Sequence, residues 1–350
     1  MRGLASAKRA RHWGKIRYTH GMLHCFHQQQ GVLHEIPTGT APDFEADALC
    51  WVDLNHPTAE EEASVEAHLG VNIPTRDEMG EIELSNRFYI EGEALYATAT
   101  ILSKSDSETP EAHPVTFVLT PHYLVTVRYS DPYAFRVAGS RAAQGIGTEH
   151  VPQTMLLVLL EAIVNRLADV LEESGHQIDE VGKTIFRPHQ KMRKQRQISK
   201  PDYEEVLRQI GIYDDRISKL RESLLSISRL LGFVAQSAQV KNGSDMHVRM
   251  LELQRDIPAL ADHATFLSNK ISFLLDATLG LISIEQSGII KIFSVAAVIF
   301  LPPTLVASIY GMNFDFMPEL SQPYGYPLAL CAMVVSALLP CLYFKYRKWL

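Results

Sequence analysis

The chain has 350 residues, 46% of them hydrophobic and 21% charged, with a formal charge of −7. That average resembles a soluble protein, yet no Asp, Glu, Lys or Arg occurs over 292–314 or over 320–344. At this charge density such gaps arise by chance well under about 1% of the time, which excludes a simple soluble enzyme, a nucleic-acid binder with a basic surface and a disulfide-stapled secreted domain.

No apolar stretch opens the chain, so no secretory signal is expected. Residues 1–21 carry Arg2, Lys8, Arg9, Arg11, Lys15 and Arg17 and no acid. They read as a basic disordered extension; a targeting segment or an anionic-lipid contact is the other reading, and Met22 is an alternative start. Removing those six charges from −7 leaves −13, an acidic body that attracts cations and disfavours nucleic acid.

Residues 22–150 read as a mixed α/β domain. Strands at 22–26 and 32–36 flank Gln-Gln-Gly as a hairpin. A strand at 48–53 precedes a helix at 58–69, with Thr58 as N-cap and Glu61 completing a capping box. Segments 88–90, 94–102, 115–119 and 123–128 are rich in β-branched and aromatic residues and form strands of one sheet, with 103–113 as a polar connection. His20, His24, Cys25 and His27 suggest zinc, but a strand over 22–27 turns His24 and Cys25 to opposite faces. Cys25, Cys50, Cys331 and Cys341 have no CxxC spacing and read as reduced thiols.

From residue 153 the pattern is helical. Leu156, Leu157, Leu160, Ile163, Val164, Leu167 and Leu171 recur at three and four residues. A basic stretch at 187–200 interrupts it. A second helix starts near Pro201 with Ser199 as cap and runs to about 239. Asn242-Gly243-Ser244 breaks the chain, and a third helix over 245–310 has 66 residues, roughly 100 Å. A rod of that length serves as a stalk from the domain of 151–290 into a bilayer, and it needs partners along its length.

The charge-free runs 292–310 and 326–344 are 19 residues each, about 28 Å of helix, the thickness of a hydrocarbon core. Spans at 291–310 and 326–345 are therefore expected, joined by a loop at 311–325, with a tail at 346–350. Lys291 precedes the first span; Lys345, Arg347 and Lys348 follow the second; the loop holds only acids. The positive-inside rule puts both termini in the cytoplasm. Two helices cannot enclose a pore, so conduction requires a homo-oligomer.

Inward along one face of the third helix Ser308, Thr304, Leu301, Ala297, Phe293, Ile290, Ser287, Gly280 and Asp276 recur at three, four or seven residues. That is the stripe of a pore-lining helix, hydroxylated near the mouth and apolar in the middle, where dewetting can gate; a plain helix-packing face has the same spacing. At its outer end stand Gly311, Met312 and Asn313. Mg²⁺ holds its octahedral water tightly and prefers oxygen. A ring of Asn313 carbonyls, with the Gly311 carbonyl beside it, can hydrogen-bond those waters without a fixed charge that traps the ion. Gly311 keeps the backbone close and permits an unusual φ. As a bare helix stop, Gly and Asn would be C-cap residues. Asp315 and Glu319 either concentrate cations outside or are solvated loop acids. No Ser-His-Asp set, phosphate loop or HExxH occurs, so an enzyme is not expected.

The run Ile299-Phe300-Leu301-Pro302-Pro303-Thr304, then Tyr310-Gly311-Met312-Asn313-Phe314, Met317-Pro318-Glu319-Leu320 and Tyr324-Gly325-Tyr326-Pro327, resembles the CorA family of divalent-cation channels. The ending Tyr343-Phe344-Lys345 to Trp349-Leu350 is similar as well. The resemblance is strong over 280–350, architectural over 22–280 and absent over 1–21. It implies an α+β cytoplasmic domain joined by a long stalk helix to a two-span membrane domain, in a homopentameric funnel of the inner membrane. It also implies Mg²⁺ uptake down the membrane potential, with Co²⁺ and Ni²⁺ as surrogates and no cofactor. By that resemblance Asn313 selects, Thr304 is a second ion site, Leu301, Phe293 and Ile290 gate, and Asp276 lines the cytoplasmic mouth. Ser287 departs from the Asn frequent in the family. Lys291 would form a basic collar. Regulation by cytosolic Mg²⁺ would use Glu252 and Asp256, with Glu81, Glu83 and Glu91 as candidate partners. The rival readings are a zinc transporter of the ZntB type and a non-conducting membrane-anchored adaptor.

Overall fold

A computed structural model describes residues 22–36, 49–186, 202–237, 245–312, 317–318 and 322–347. Two compact units divide the chain at Leu274 and Leu275.

The first unit is built on one sheet of seven strands. They are β1 (Met22–Gln29), β2 (Val32–Glu35), β3 (Leu49–Asn55), β4 (Phe88–Glu91), β5 (Ala94–Ser103), β6 (Glu111–Leu119) and β7 (Leu124–Arg128), in the order β2-β1-β3-β7-β6-β5-β4. Every neighbouring pair is antiparallel except β3–β7, which is parallel. The hairpin turns at Gln30 and Gly31, both with positive φ, a conformation glycine adopts without steric cost. β3, β5 and β7 are buried along their whole length, so their sequences lack the alternation of a half-wet strand.

Helix α1 (Ala59–Leu69) opens on the expected box: Glu61 N donates to Thr58 Oγ1, and Thr58 N donates to Glu61 Oε2 at 2.8 Å. The short helix α2 (Arg76–Met79) repeats the device with Thr75 and Glu78; a single turn, α3 (Leu84–Arg87), leads into β4. One face of the sheet packs Val52, Leu54, Val118, Val125 and Val127 against Val65, Val71, Ile73 and Met79.

Helix α4 (Tyr133–Ala142) packs on α5 (Val151–Phe186), and α6 (Tyr203–Ala235) lies along β5. Two buried hydrogen bonds fix that docking: Thr100 N to Ser226 Oγ at 2.8 Å, and Ser223 Oγ to Thr100 O at 2.9 Å. Residues 245–274 begin α7 (Asp245–Tyr310), the single 66-residue helix the sequence predicts. Its buried Met250, Leu253, Ile257, Ala264, Leu267, Ile271 and Leu274 follow a heptad seam. On α5, Gly175 and Gly182 let Leu267 and Leu274 approach. Arg249 clasps Glu161 with Nε–Oε1 2.9 Å and Nη2–Oε2 2.8 Å, and Lys270 bonds Asp179.

The second unit holds the rest of α7 and α8 (Gly325–Tyr346), which contains Pro340. Both helices are long and apolar enough to cross a membrane.

Four local expectations change. β6 begins at Glu111, so 111–113 is strand rather than connection; the cross-strand ladder Ser103↔Glu111 to Ala99↔Val115 outweighs its polar sequence. Asp202, not Ser199, caps α6, through Oδ1 to the N–H groups of Glu204 and Glu205. That helix ends at Ala235, four residues early. Helix α4 was not expected. The extension at 1–21 and the basic stretch at 187–200 lie outside the described residues.

Candidate functional site

The predicted pore stripe falls on one helix. From Asp276 to Ser308 the nine residues span 32 positions, nearly nine turns, so the stripe drifts by only about 40° around the axis. All nine are exposed in the single chain. For Ile290, Phe293 and Leu301 the exposure is 65%, 72% and 65%. Apolar side chains this bare, on a helix with Lys291 as its one charge from 286 to 310, require lipid or another chain against them.

The Thr304 hydroxyl on this face is turned into the helix. Thr304 Oγ1 donates to Phe300 O at 2.8 Å, which leaves only oxygen lone pairs pointing away. An oxygen of that kind accepts from the water shell of a cation. Pro302 and Pro303 lie inside the helix without N–H groups, so the carbonyls of Val298 and Ile299 lose their helical donors.

α7 ends at Tyr310. Gly311 N donates to Ala307 O at 2.9 Å and Met312 N to Ile309 O at 3.3 Å. A Cβ on Gly311 would sit 3.2 Å from the Ala307 carbonyl. Close approach explains this glycine. The unusual φ expected of it is not seen, since the positive-φ glycines are Gly31, Gly70, Gly92, Gly145 and Gly147. The helix stop itself is present, closed by the backbone bonds of Gly311 and Met312, while the part expected of Asn313 lies outside the described residues. Met312 is exposed. Asn313, Asp315 and Glu319 lie outside the described residues.

Glu252 and Asp256 are exposed, one turn apart on α7, beside the buried Leu253 and Ile257. Glu81, Glu83 and Glu91 are exposed too, and Glu81 accepts from Asn86 Nδ2 at 2.5 Å. Among the described residues no group of three or more His, Cys, Asp or Glu side chains could hold a metal ion. Zinc at His24, Cys25 and His27 is not assembled: Cys25 is in the core, and His24 Nδ1 lies 2.6 Å from Glu35 Oε1.

Sequence reasoning missed the buried Asp53–Arg128 pair at the β3–β7 junction. Its only signal was an acid inside the apolar run Leu49–Asn55.

Residues 46–347 match the family described as CorA-like Mg²⁺ transporter protein. The magnesium transport protein CorA of Salmonella typhimurium (strain LT2) is 36% identical over 300 residues, covering 86% of this chain and 92% of that protein. The complete structure of the CorA magnesium transporter from Methanocaldococcus jannaschii superposes with a TM-score of 0.72 at 17% identity, covering 94% of this chain and 99% of that one. The full-length CmaX protein gives 0.68 at 15% identity, covering 94% and 98%. The two structures share the fold: a mixed α/β domain, long helices and two candidate spans. With its Tyr310-Gly311-Met312-Asn313 end and its bare apolar helix face, the chain belongs to the CorA family of Mg²⁺ transporters, membrane proteins and not enzymes.

Proposed function

We propose that this chain forms a homopentameric channel that admits Mg²⁺, and Co²⁺ or Ni²⁺ in its place, into the cytoplasm across the inner membrane. The spans are 291–310 and 326–345, and both termini are cytoplasmic. The observation that carries this reading is the exposed stripe of α7, from Asp276 to Ser308, running up to Gly311. Two spans per chain cannot close a pore, so copies of α7 line it.

A hydrated cation meets the Asn313 ring first, with the Gly311 carbonyl near it. Neutral oxygens bond its water without stripping it. Thr304 offers the next ring of lone pairs. Leu301, Phe293 and Ile290 form the dry constriction, and Ser287 and Asp276 the exit. An inward potential of 100 mV supplies about 4.6 kcal/mol for a divalent ion, so no other energy source is required. Cytosolic Mg²⁺ between Glu252 or Asp256 and acids of a neighbouring copy holds the pore shut, and its loss opens it. Asp315 and Glu319 concentrate cations outside.

The test is Mg²⁺ entry into proteoliposomes under an inward-negative potential. Wild-type flux that Asn313→Ala abolishes supports the channel. Zn²⁺ flux without Mg²⁺ flux moves the reading to a zinc transporter. No flux from assembled oligomers leaves a membrane-anchored adaptor.

A further inference from the structure

The first hairpin carries histidines that the ion path does not use. In the β1–β2 ladder His27 stands directly opposite His34. Their rings share one face, with centroids 5.8 Å apart and planes inclined by 35°. His34 is exposed and His27 partly so. Each ring has the other as its neighbour, and no hydrogen bond or ion pair engages either among the described residues.

The backbone holds this arrangement in place. β1 shifts register against β3 between Phe26 and His27, so Phe26 pairs with Trp51 and His27 with Leu49. Cys50, passed over by the shift, donates from Sγ to Phe26 O at 3.4 Å. Bulges of this kind re-aim a neighbouring side chain. His24 belongs to the other face, tied to Glu35, and Cys25 lies in the core. The available donors are therefore two imidazoles and solvent.

Metal–imidazole bonds are about 2.0–2.1 Å, which sets each ring centre about 3.2 Å from a shared ion. Two centres 5.8 Å apart then subtend roughly 130° at the metal, an open angle that small rotations about χ1, drawing the rings about 0.6 Å together, bring toward tetrahedral, while χ2 aims the nitrogens. Imidazole suits Ni²⁺, Cu²⁺ and Zn²⁺, whereas Mg²⁺ keeps its water and takes oxygen. We propose that His27 and His34 form a two-imidazole site for a borderline transition cation, completed by water and indifferent to Mg²⁺. A bound ion would also clip the edge strand β2 to β1.

The experiment uses the full chain in detergent, without a polyhistidine tag, and Ni²⁺ equilibrium dialysis in a large excess of Mg²⁺ that fills the oxygen sites. Wild type retains one Ni²⁺ per chain. His27→Gln and His34→Gln each weaken it at least about ten-fold, while His24→Gln leaves it unchanged. With Cu²⁺ the electron paramagnetic spectrum shows two coupled imidazole nitrogens, falling to one in either variant. Circular dichroism and Mg²⁺ flux stay at wild-type levels in both, separating this site from the pore. Ni²⁺ binding that survives both substitutions, is lost equally in His24→Gln, or is displaced by Mg²⁺ overturns the assignment.

Discussion

Asp53 and Arg128 meet across the parallel β3–β7 junction. Arg128 Nε lies 3.1 Å from each Asp53 oxygen, and Nη2 lies 2.9 Å from Oδ2. Thr126 Oγ1 donates to the same carboxylate at 2.7 Å, and Arg128 Nη1 reaches the Ser130 carbonyl at 2.6 Å. The pair is 3% and 5% exposed, and the Phe135 ring centre lies 4.8 Å from the guanidinium carbon.

Removing one partner strands a buried charge. Arg128→Met is expected to destabilise the first unit by about 3–5 kcal/mol. Asp53→Leu combined with Arg128→Met costs less than Arg128→Met alone, because no unpaired ion remains. Thermal unfolding of the three proteins in detergent decides it: a double variant no more stable than Arg128→Met refutes the argument.

Gly182 faces Leu274 across the α5–α7 seam. A Cβ there would lie 3.5 Å from Leu274 Cδ2, ordinary contact. Gly182→Ala thus gains helix propensity without a clash and should stabilise by about 0.5–1 kcal/mol. Gly182→Phe must part the helices and should destabilise by about 1–3 kcal/mol. A lower melting temperature for Gly182→Ala would contradict the seam.

Burial pushes the Cys25 and Cys50 thiols up from an ordinary 9.0 to about 12. The native state keeps these protons while the unfolded chain releases them above pH 9. Their contribution is whole below pH 9 and is lost as pH rises toward 12. At pH 8 about one thiol in 10⁴ is ionised, so iodoacetamide should spare both until the chain unfolds. Mass spectrometry after native labelling checks this; modified Cys25 or Cys50 would show the core open.

Leu301 stands exposed in the middle of the α7 stripe. If dewetting there closes the pore, and internal Mg²⁺ shuts the wild type as proposed, Leu301→Ser should leak Mg²⁺ at high internal Mg²⁺. Flux assays at 0 and saturating internal Mg²⁺ compare the two. Equal closure in both proteins would move the gate elsewhere.

Local signals carried far into the fold. The Thr58/Glu61 box, the Gln30-Gly31 turn and the unbroken helix from residue 245 to 310 depend on neighbours in sequence, and all three are present. The nine-residue stripe is legible for the same reason, as helical spacing is local. Long-range partners were not. Asp53 and Arg128 are 75 residues apart, and nothing near Asp53 names its counter-ion. β6 starts early because Glu111 gains a ladder partner, Ser103, that its own polarity argues against. Glu252 and Asp256 stay unassigned because they are exposed, and spacing along one helix does not name what faces an exposed acid.

Pro302 and Pro303 bear on the helix itself. Pro258 relieves α7 of one hydrogen bond, but the adjacent pair, directly before Thr304, relieves it of two in succession. Within the second unit, the turn from Val298 to Pro303 is therefore short of two consecutive backbone bonds, the local cause of most helix kinks. Leu301 lies between the freed carbonyls of Val298 and Ile299 and the two prolines, so any bend of this turn moves Leu301 itself.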